Sequence, residues 1–366
     1  MLLHRGPGDS APLAAAAGGT RPRIPGMNAS FTRFLWSFTM AFALGVPGDG
    51  LRTLTSPLVS TFSIVAIDLE NGDVGVAVQS KFPNVRPLVP WAEAGVGAVA
   101  TQSFVNATYG PRGLTLMRNG ATAAEALAIL TGTDSDKQNR QAGIVDAKGN
   151  AATWTGQECF EWAGGFAGTT AGSKGAIATG KGYAIQGNIL VGQATVDAMA
   201  KTFEQTKGPL ADRLLAALVA GGRAGGDRRG EQSAALLVKR KGAGYDGSSD
   251  DLVDISIYDH PTPLRELERL YALHKLHFLR SDPANLIPVD QALATELQTL
   301  MSTTAYKGFR FYAGPIHGIY DAATKKALRD FMGWENYDVR IRDDEQVDRE
   351  VLADIRRNFA AWKAKQ

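Results

Sequence analysis

The sequence predicts an α+β protein whose main domain is a four-layer αββα sandwich, followed by a small, mainly helical C-terminal domain. Two observations within residues 61–280 lead there. Strands such as Thr61 to Asp68 (TFSIVAID) are apolar on both alternating faces, so each is buried on two sides rather than one. Strands open and close the region with helical patterns between them, an order that suits two stacked sheets covered by helices. The length of 366 residues leaves room for two domains, each with its own core.

Each element has a local reason. After Thr61 to Asp68, the turn Glu70-Asn71-Gly72-Asp73 carries the Asn-Gly pair that favours a hairpin, and Val74 to Gln79 is the return strand. Val96 to Gln102 is a further strand, and Leu114 to Asn119 a short helix closed by Gly120. Thr122 and Glu125 have the spacing of a capping box ahead of Ala126 to Leu130. Gln141 to Asp146 and Ala151 to Thr155 form a second hairpin across Lys148-Gly149, with more strand through Ala176 to Gln186. Helical stretches follow at Val191 to Gln205 and Leu210 to Ala220, then strands at Ala234 to Lys239 and Val253 to Tyr258. A helix over Leu264 to Leu279 precedes Pro283 and Pro288, where the second domain begins. The expected division is a leader at 1–60, the sandwich at 61–281 and the C-terminal domain at 282–366.

Composition narrows the function classes. Lys and Arg total 39 against 37 acids, a net charge of +2, too balanced for a basic nucleic-acid clamp or an acidic tail. With Cys159 as the single cysteine, neither an intramolecular disulfide nor a thiolate zinc cluster can form. Glycine, at 41 residues, exceeds the ordinary share and implies many tight turns or close backbone approaches.

Residues 1–26 have no periodicity, whereas from Met27 a charge at Arg33 precedes the uncharged run Phe34 to Val46. That run is too short to span a bilayer but suits an export signal over 27–50, with Ala41-Phe42-Ala43 as a small-x-small cleavage pattern. The competing reading is a buried helix of the mature domain. Export would place the protein in the periplasm or outside the cell.

Several motifs mislead. Gly175 to Lys181 follows the P-loop pattern, but Gly182 replaces the hydroxyl that would hold magnesium, and a strand follows instead of a helix. Gly95-Val-Gly97-Ala-Val-Ala100 continues as strand and opens no helix, unlike a dinucleotide fingerprint. His274 and His277 share a helix without HExxH spacing, and no GxSxG elbow occurs. The sequence therefore calls for no metal and no cofactor.

The blocks TFSIVAID (61–68), GDVGVAVQSKF (72–82), VPWAEAGVGAVATQ (89–102), YGPRGL (109–114), AIQGNIL (184–190) and GGDRRGEQSAALLV (225–238) fall in one order. Together they resemble the DUF1028 family, assigned to the N-terminal-nucleophile (Ntn) hydrolase superfamily. That resemblance implies the αββα sandwich already expected, and a nucleophile at the first mature residue whose freed α-amine serves as base. Such an amine titrates at about 7.7 to 8.0, so it can take a proton near neutral pH without a histidine.

Thr61, opening the first strand, is then the candidate nucleophile; the plain alternative is a β-favouring strand residue. Ser60 and a long leader precede it, so activity requires cleavage between Ser60 and Thr61. Asn188 is the first candidate oxyanion donor, with Gln102 and Asn106 next; each could instead cap a turn. Lys81 could hold positive charge near the nucleophile, or be a solvated lysine. Asp227 could orient the α-ammonium, while Arg228 or Arg229, and separately Arg112, could bind a substrate carboxylate; an internal Asp/Arg clamp is the alternative.

Gly318-Ile-Tyr-Asp321-Ala-Ala-Thr324-Lys-Lys-Ala327-Leu328 and Phe331 resemble the core of small peptidoglycan-binding-like domains. Asp321 as N-cap explains the spacing without a ligand. The aromatic supply for glycan recognition is Phe309, Phe311, Tyr312 and Tyr320. The expected function is an exported Ntn-type hydrolase of a peptide-like or small linear or cyclic amide, held near peptidoglycan and compatible with a homo-oligomer. The rival is a non-catalytic envelope protein in which the sandwich is scaffold.

Overall fold

In the computed structural model the described residues are 58–59, 61–303 and 308–365. The expected export signal at 27–50 lies outside the described residues.

The strands run in chain order as β1 (Leu58–Val59), β2 (Thr61–Asp68), β3 (Asp73–Ser80), β4 (Pro90–Glu93), β5 (Gly97–Phe104), β6 (Arg140–Asp146) and β7 (Asn150–Thr155). There follow β8 (Gly164–Ala167), β9 (Thr170–Ala171), β10 (Ile177–Lys181), β11 (Tyr183–Asn188), β12 (Ser233–Lys239) and β13 (Asp251–Ile257). They form two antiparallel sheets. One has the order β1-β5-β6-β7-β10 with β4 also on β5; the other runs β13-β12-β3-β2-β11-β8-β9.

The doubly apolar β2 explains how they stack. Phe62, Ile64 and Ala66 point into one core with Met199, Leu214 and Leu218, while Val65 and Ile67 point into another with Val76, Val78, Ala100 and Val145. The second core is the seam between the sheets. Burying a side chain such as Phe62 or Ile64 contributes about 1.5–3 kcal/mol, so both faces of the strand hold the layers together.

Helices complete the sandwich. On the outer face of the first sheet, α1 (Tyr109–Arg118) and α2 (Ala123–Gly132) set Leu114, Leu127 and Leu130 against Val99 and Ile144. The expected capping box forms: Thr122 Oγ1 accepts from the Glu125 amide at 3.3 Å, and Glu125 Oε2 from the Thr122 amide at 2.8 Å. The second sheet is covered by α3 (Ala194–Gln205), α4 (Leu210–Arg223) and α5 (Pro263–Phe278).

Two local expectations change. Helix α1 begins at Tyr109, earlier than the apolar pattern from Leu114 indicates. Pro111 is tolerated in the first turn because its missing N–H would have no helical partner, and Gly110 is required because a Cβ there would lie 2.2 Å from the Trp91 ring. Strands β4 and β8 were not expected, being short and, in β8, glycine-rich. The glycines of the false P-loop have a packing reason: a Cβ on Gly180 would sit 1.9 Å from the Ala167 carbonyl, and Gly182 takes φ +80° where the chain passes from β10 in the first sheet to β11 in the second.

The C-terminal region comprises β14 (Leu286–Pro288), α6 (Gln291–Ser302), α7 (Ala322–Trp334), β15 (Gln346–Asp348) and α8 (Arg349–Lys363). Its core gathers Leu297, Phe331, Val351 and Ile355. Asp321 caps α7 as its spacing indicates, accepting from the Thr324 amide at 2.8 Å. The end of α5 carries this module: Leu276 packs on its core, His277 stacks on Tyr337 with centroids 5.0 Å apart, and Arg340 donates to the Lys275 carbonyl at 2.6 Å.

Candidate active site

The seam between the sheets is apolar over most of its area and polar at one end. Thr61 opens β2 there, fully buried, with Ser80 of β3 on one side and Asn188 of β11 on the other in the strand register. Its hydroxyl and that of Ser80 are 3.1 Å apart. Strand alternation sends Thr61, Ser63, Gln186 and Asn188 toward the opposite sheet, which answers with Gln102, Gln141, Thr153 and Thr155.

These groups form one buried amide and hydroxyl network. Gln102 Nε2 donates to the Thr61 carbonyl at 3.1 Å and to Gln141 Oε1 at 2.9 Å, and Gln102 Oε1 accepts from Ser63 Oγ at 2.6 Å. Asn188 Nδ2 donates to the same Gln141 oxygen at 2.9 Å. Gln141 Nε2 in turn donates to Thr155 Oγ1 at 2.9 Å and to the Gly187 carbonyl at 2.8 Å. Gln186 Nε2 reaches Ser63 Oγ at 2.6 Å. Neutral amides suit such a place, since a lone buried charge would cost several kcal/mol of lost hydration whereas a paired amide costs little. Gly143 makes the space: a Cβ there would fall 1.9 Å from Gln186 Oε1.

Backbone strain flanks this network on both sheets. Ser103, directly after Gln102, has φ +68°, and Ile189, directly after Asn188, has φ +53°. The left-handed region costs an L-residue about 1–2 kcal/mol, and a β-branched side chain makes it rarer still. Hydrogen bonds hold Ile189 in place, its amide donating to the Phe160 carbonyl at 3.1 Å and its carbonyl accepting from the Arg228 amide at 2.9 Å.

The other expected residues divide. Asp227 has a fully buried side chain that accepts from the Lys81 amide at 3.1 Å and from Arg229 through its amide at 2.9 Å and its guanidinium at 3.1 Å. These are the contacts of a clamp. It ties the residue after Ser80 to a loop that also bridges to Leu190, so it closes the rim around both strand neighbours of Thr61. Lys81 itself is exposed, its ammonium bonded to the Glu231 carbonyl at 3.2 Å. Arg228 is exposed and Arg229 is one-third exposed.

Arg112 and Asn106 are not brought to Thr61. Arg112 lies on α1, on the far side of the first sheet, donating to Thr133 Oγ1 at 3.0 Å. Asn106 belongs to a separate cluster in which Asp134 accepts from its amide at 3.1 Å, from the Tyr109 hydroxyl at 3.0 Å and from Arg140 at 3.0 Å. Burial raises the Asp134 pKa, but these bonds and the Asp136 amide outweigh it, and the carboxyl is held below its usual range. The Tyr109 phenol is pushed well above 10 by burial and by Asp134.

Sequence reasoning missed Ser63, Ser80, Gln141, Gln186, Thr153 and Thr155. The signal was present as paired polar residues two apart at strand ends: Thr61/Ser63, Thr153/Thr155 and Gln186/Asn188.

The model of a family of unknown function, DUF1028, matches residues 61–267, and one described as "Putative peptidoglycan binding domain" matches residues 278–354. The chain belongs to the DUF1028 family. Among solved structures, this DUF1028 protein is similar to the crystal structure of protein SPO2555 from Silicibacter pomeroyi, described with the same family. The two share 30% identity over 59% of this chain and 86% of that one, with a TM-score of 0.51. No curated protein matches it.

In the C-terminal domain the structure sorts the aromatic supply. Tyr312 is buried, Phe311 packs edge-on against Phe331, and Tyr320 is partly buried under Lys325. Phe309 and Trp334 are about half exposed, at 47% and 50%, and stack with centroids 5.3 Å apart.

Proposed function

We propose that this DUF1028 protein is an N-terminal-nucleophile amide hydrolase acting on a peptide-like or small linear or cyclic amide, held at the cell envelope by its C-terminal domain. The observation that carries the reading is the position of Thr61: first residue of a central strand, at the polar end of the inter-sheet seam, beside Asn188 and Gln102. Cleavage between Ser60 and Thr61 would free the α-amine. The Thr61 hydroxyl then attacks the amide carbonyl carbon, the α-amine takes its proton and passes it to the leaving nitrogen, and the C–N bond breaks to give an acyl ester. Water attacks that ester, releasing the acid and restoring the hydroxyl. Asn188 is the donor proposed for the oxyanion, with Gln102 supporting it.

The leader also bears on this reading. Leu58–Val59 pairs with Phe104 and Ser103 in the first sheet, whereas Thr61 pairs in the second, so β1 and β2 belong to different sheets. The rival reading, a non-catalytic envelope protein, draws on the full burial of Thr61 and on the clamp contacts of Asp227. A panel of amide substrates, run with a Thr61→Ala control on N-terminally sequenced protein, tests the proposal: hydrolysis lost in the control supports it, and hydrolysis equal in both rejects it.

A further inference from the structure

Two aromatic rings of the C-terminal domain stand half in water. Among the described residues of 282–366, Phe309 and Trp334 are the exposed aromatic side chains, and they stack on each other with centroids 5.3 Å apart and planes 16° from parallel. Near-parallel rings at that separation are offset, which leaves each an outer face. We propose that this pair is a platform for a sugar ring of a peptidoglycan glycan strand, with Trp334 as its main contact. The inference rests on the envelope role proposed for the C-terminal domain and not on hydrolysis.

The core of the domain is filled without them, by Phe331, Phe359, Tyr312 and Tyr337 together with its aliphatic side chains. Phe311 joins core to surface: it meets Phe331 edge-on at 5.3 Å, Phe309 at 4.8 Å and Trp334 at 6.0 Å. With Phe311 beside both rings and Trp334 anchored as the last residue of α7, little rotamer freedom is left to lose on binding. The indole N–H of Trp334 makes no hydrogen bond among the described residues, so the platform also carries a free donor.

Chemistry and size select the occupant. An N-acetylglucosamine ring presents C–H groups on its faces, which pack on the electron-rich face of an aromatic ring, and a rim of hydroxyl and amide oxygens that accept from an indole N–H. Aromatic side chains bury about 150–250 Å² each when covered, so a half-exposed pair offers about 200 Å². A stable protein partner or second copy takes about 800 Å² from each side. The pair is large enough for a sugar and too small for a subunit.

Isothermal titration of the full chain with a soluble N-acetylglucosamine tetramer, and with a free stem tetrapeptide of peptidoglycan, tests this. The tetramer is expected to bind and the peptide is not. Trp334→Ala should weaken the tetramer about tenfold, Phe309→Ala should also weaken it, and Trp334→Phe, which keeps a ring but loses the N–H, should cost less than Trp334→Ala. Unchanged melting checks the folding of each variant, and Trp334→Phe carries the comparison if Trp334→Ala does not fold. Tetramer binding insensitive to all three substitutions, or binding of the peptide alone, would overturn the proposal. Retention on purified sacculi without tetramer binding would overturn the platform and leave the envelope role standing, whereas loss of both would end the two together.

Discussion

The side-chain oxygen of Gln141 holds the Asn188 amide at 2.9 Å across the gap between the two sheets, and the same oxygen accepts from Gln102. One glutamine thus fixes both residues expected to face a developing oxyanion. Replacing it would strand several fully buried polar groups, each costing about 1–3 kcal/mol when left unpaired. Gln141→Ala should lower the unfolding free energy by more than about 2 kcal/mol, read from urea denaturation. A loss under 0.5 kcal/mol, by the ordinary scale of surface substitutions, would show that the network is not maintained in solution.

Asn188→Ala separates catalysis from capping. If Asn188 stabilises an oxyanion, turnover per folded molecule should fall by about 10² or more. Loss of thermal stability with turnover per folded molecule unchanged would assign it to structure alone.

Gly143→Ala tests the packing that makes the polar end. The added methyl meets the Gln186 amide in a fully buried layer, so overpacking should cost about 1–3 kcal/mol. Since the neighbour is a hydrogen-bonded amide, the accompanying Gln186→Ala change should recover part of the loss. A neutral Gly143→Ala result would contradict the close approach.

These sites show what the sequence could and could not reveal. The capping box at Thr122 and Glu125, the Asn71-Gly72 turn and the Asp321 cap are local chemistry, each decided within four residues, and each forms as read. The doubly buried character of TFSIVAID likewise dictates the layered sandwich. The amide network is of another kind. Gln141 and Asn188, 47 positions apart, lie on different sheets and meet only because the sheets stack, while Gln186 and Ser63, 123 apart, meet through the pairing of β11 with β2. Charge was the poorer guide: the conspicuous GGDRRG run became a clamp, while the neutral glutamines took the interior. YGPRGL concealed a helix start, because glycine and proline there answer to Trp91 and to the first helical turn.

Asp134 should contribute to acid sensitivity, alongside Asp348, which is buried against Arg340 and held low in the same way. The folded pKa of Asp134 is depressed, so its contribution is fully present above the unfolded carboxylate value near about 3.9 and is lost as pH falls through the folded value. Denaturation midpoints should therefore decline below about pH 4. Asp134→Ala should cost about 3–5 kcal/mol at pH 7 by leaving the buried Arg140 short of a partner, and should flatten that decline. A variant as stable as the parent would contradict the ion pair.

Deleting residues from 282 onward should leave the sandwich folded but abolish retention on purified cell-wall sacculi. The cut exposes Leu276 and removes the stack on His277, so a modest fall in melting temperature is expected alongside. Equal retention of both proteins, or of neither, would end the binding role. Aggregation of the truncated chain would show that the C-terminal domain supplies core to the sandwich.

The account turns on whether Thr61 becomes the first residue of a mature chain. Intact-mass analysis with N-terminal sequencing of the folded protein answers this directly. The prediction is a species beginning at Thr61 with a free α-amine, absent from a Thr61→Ala variant if the cleavage is the protein's own. A chain that keeps Thr61 internal, uncut on prolonged incubation and yet hydrolysing an amide, would contradict the account.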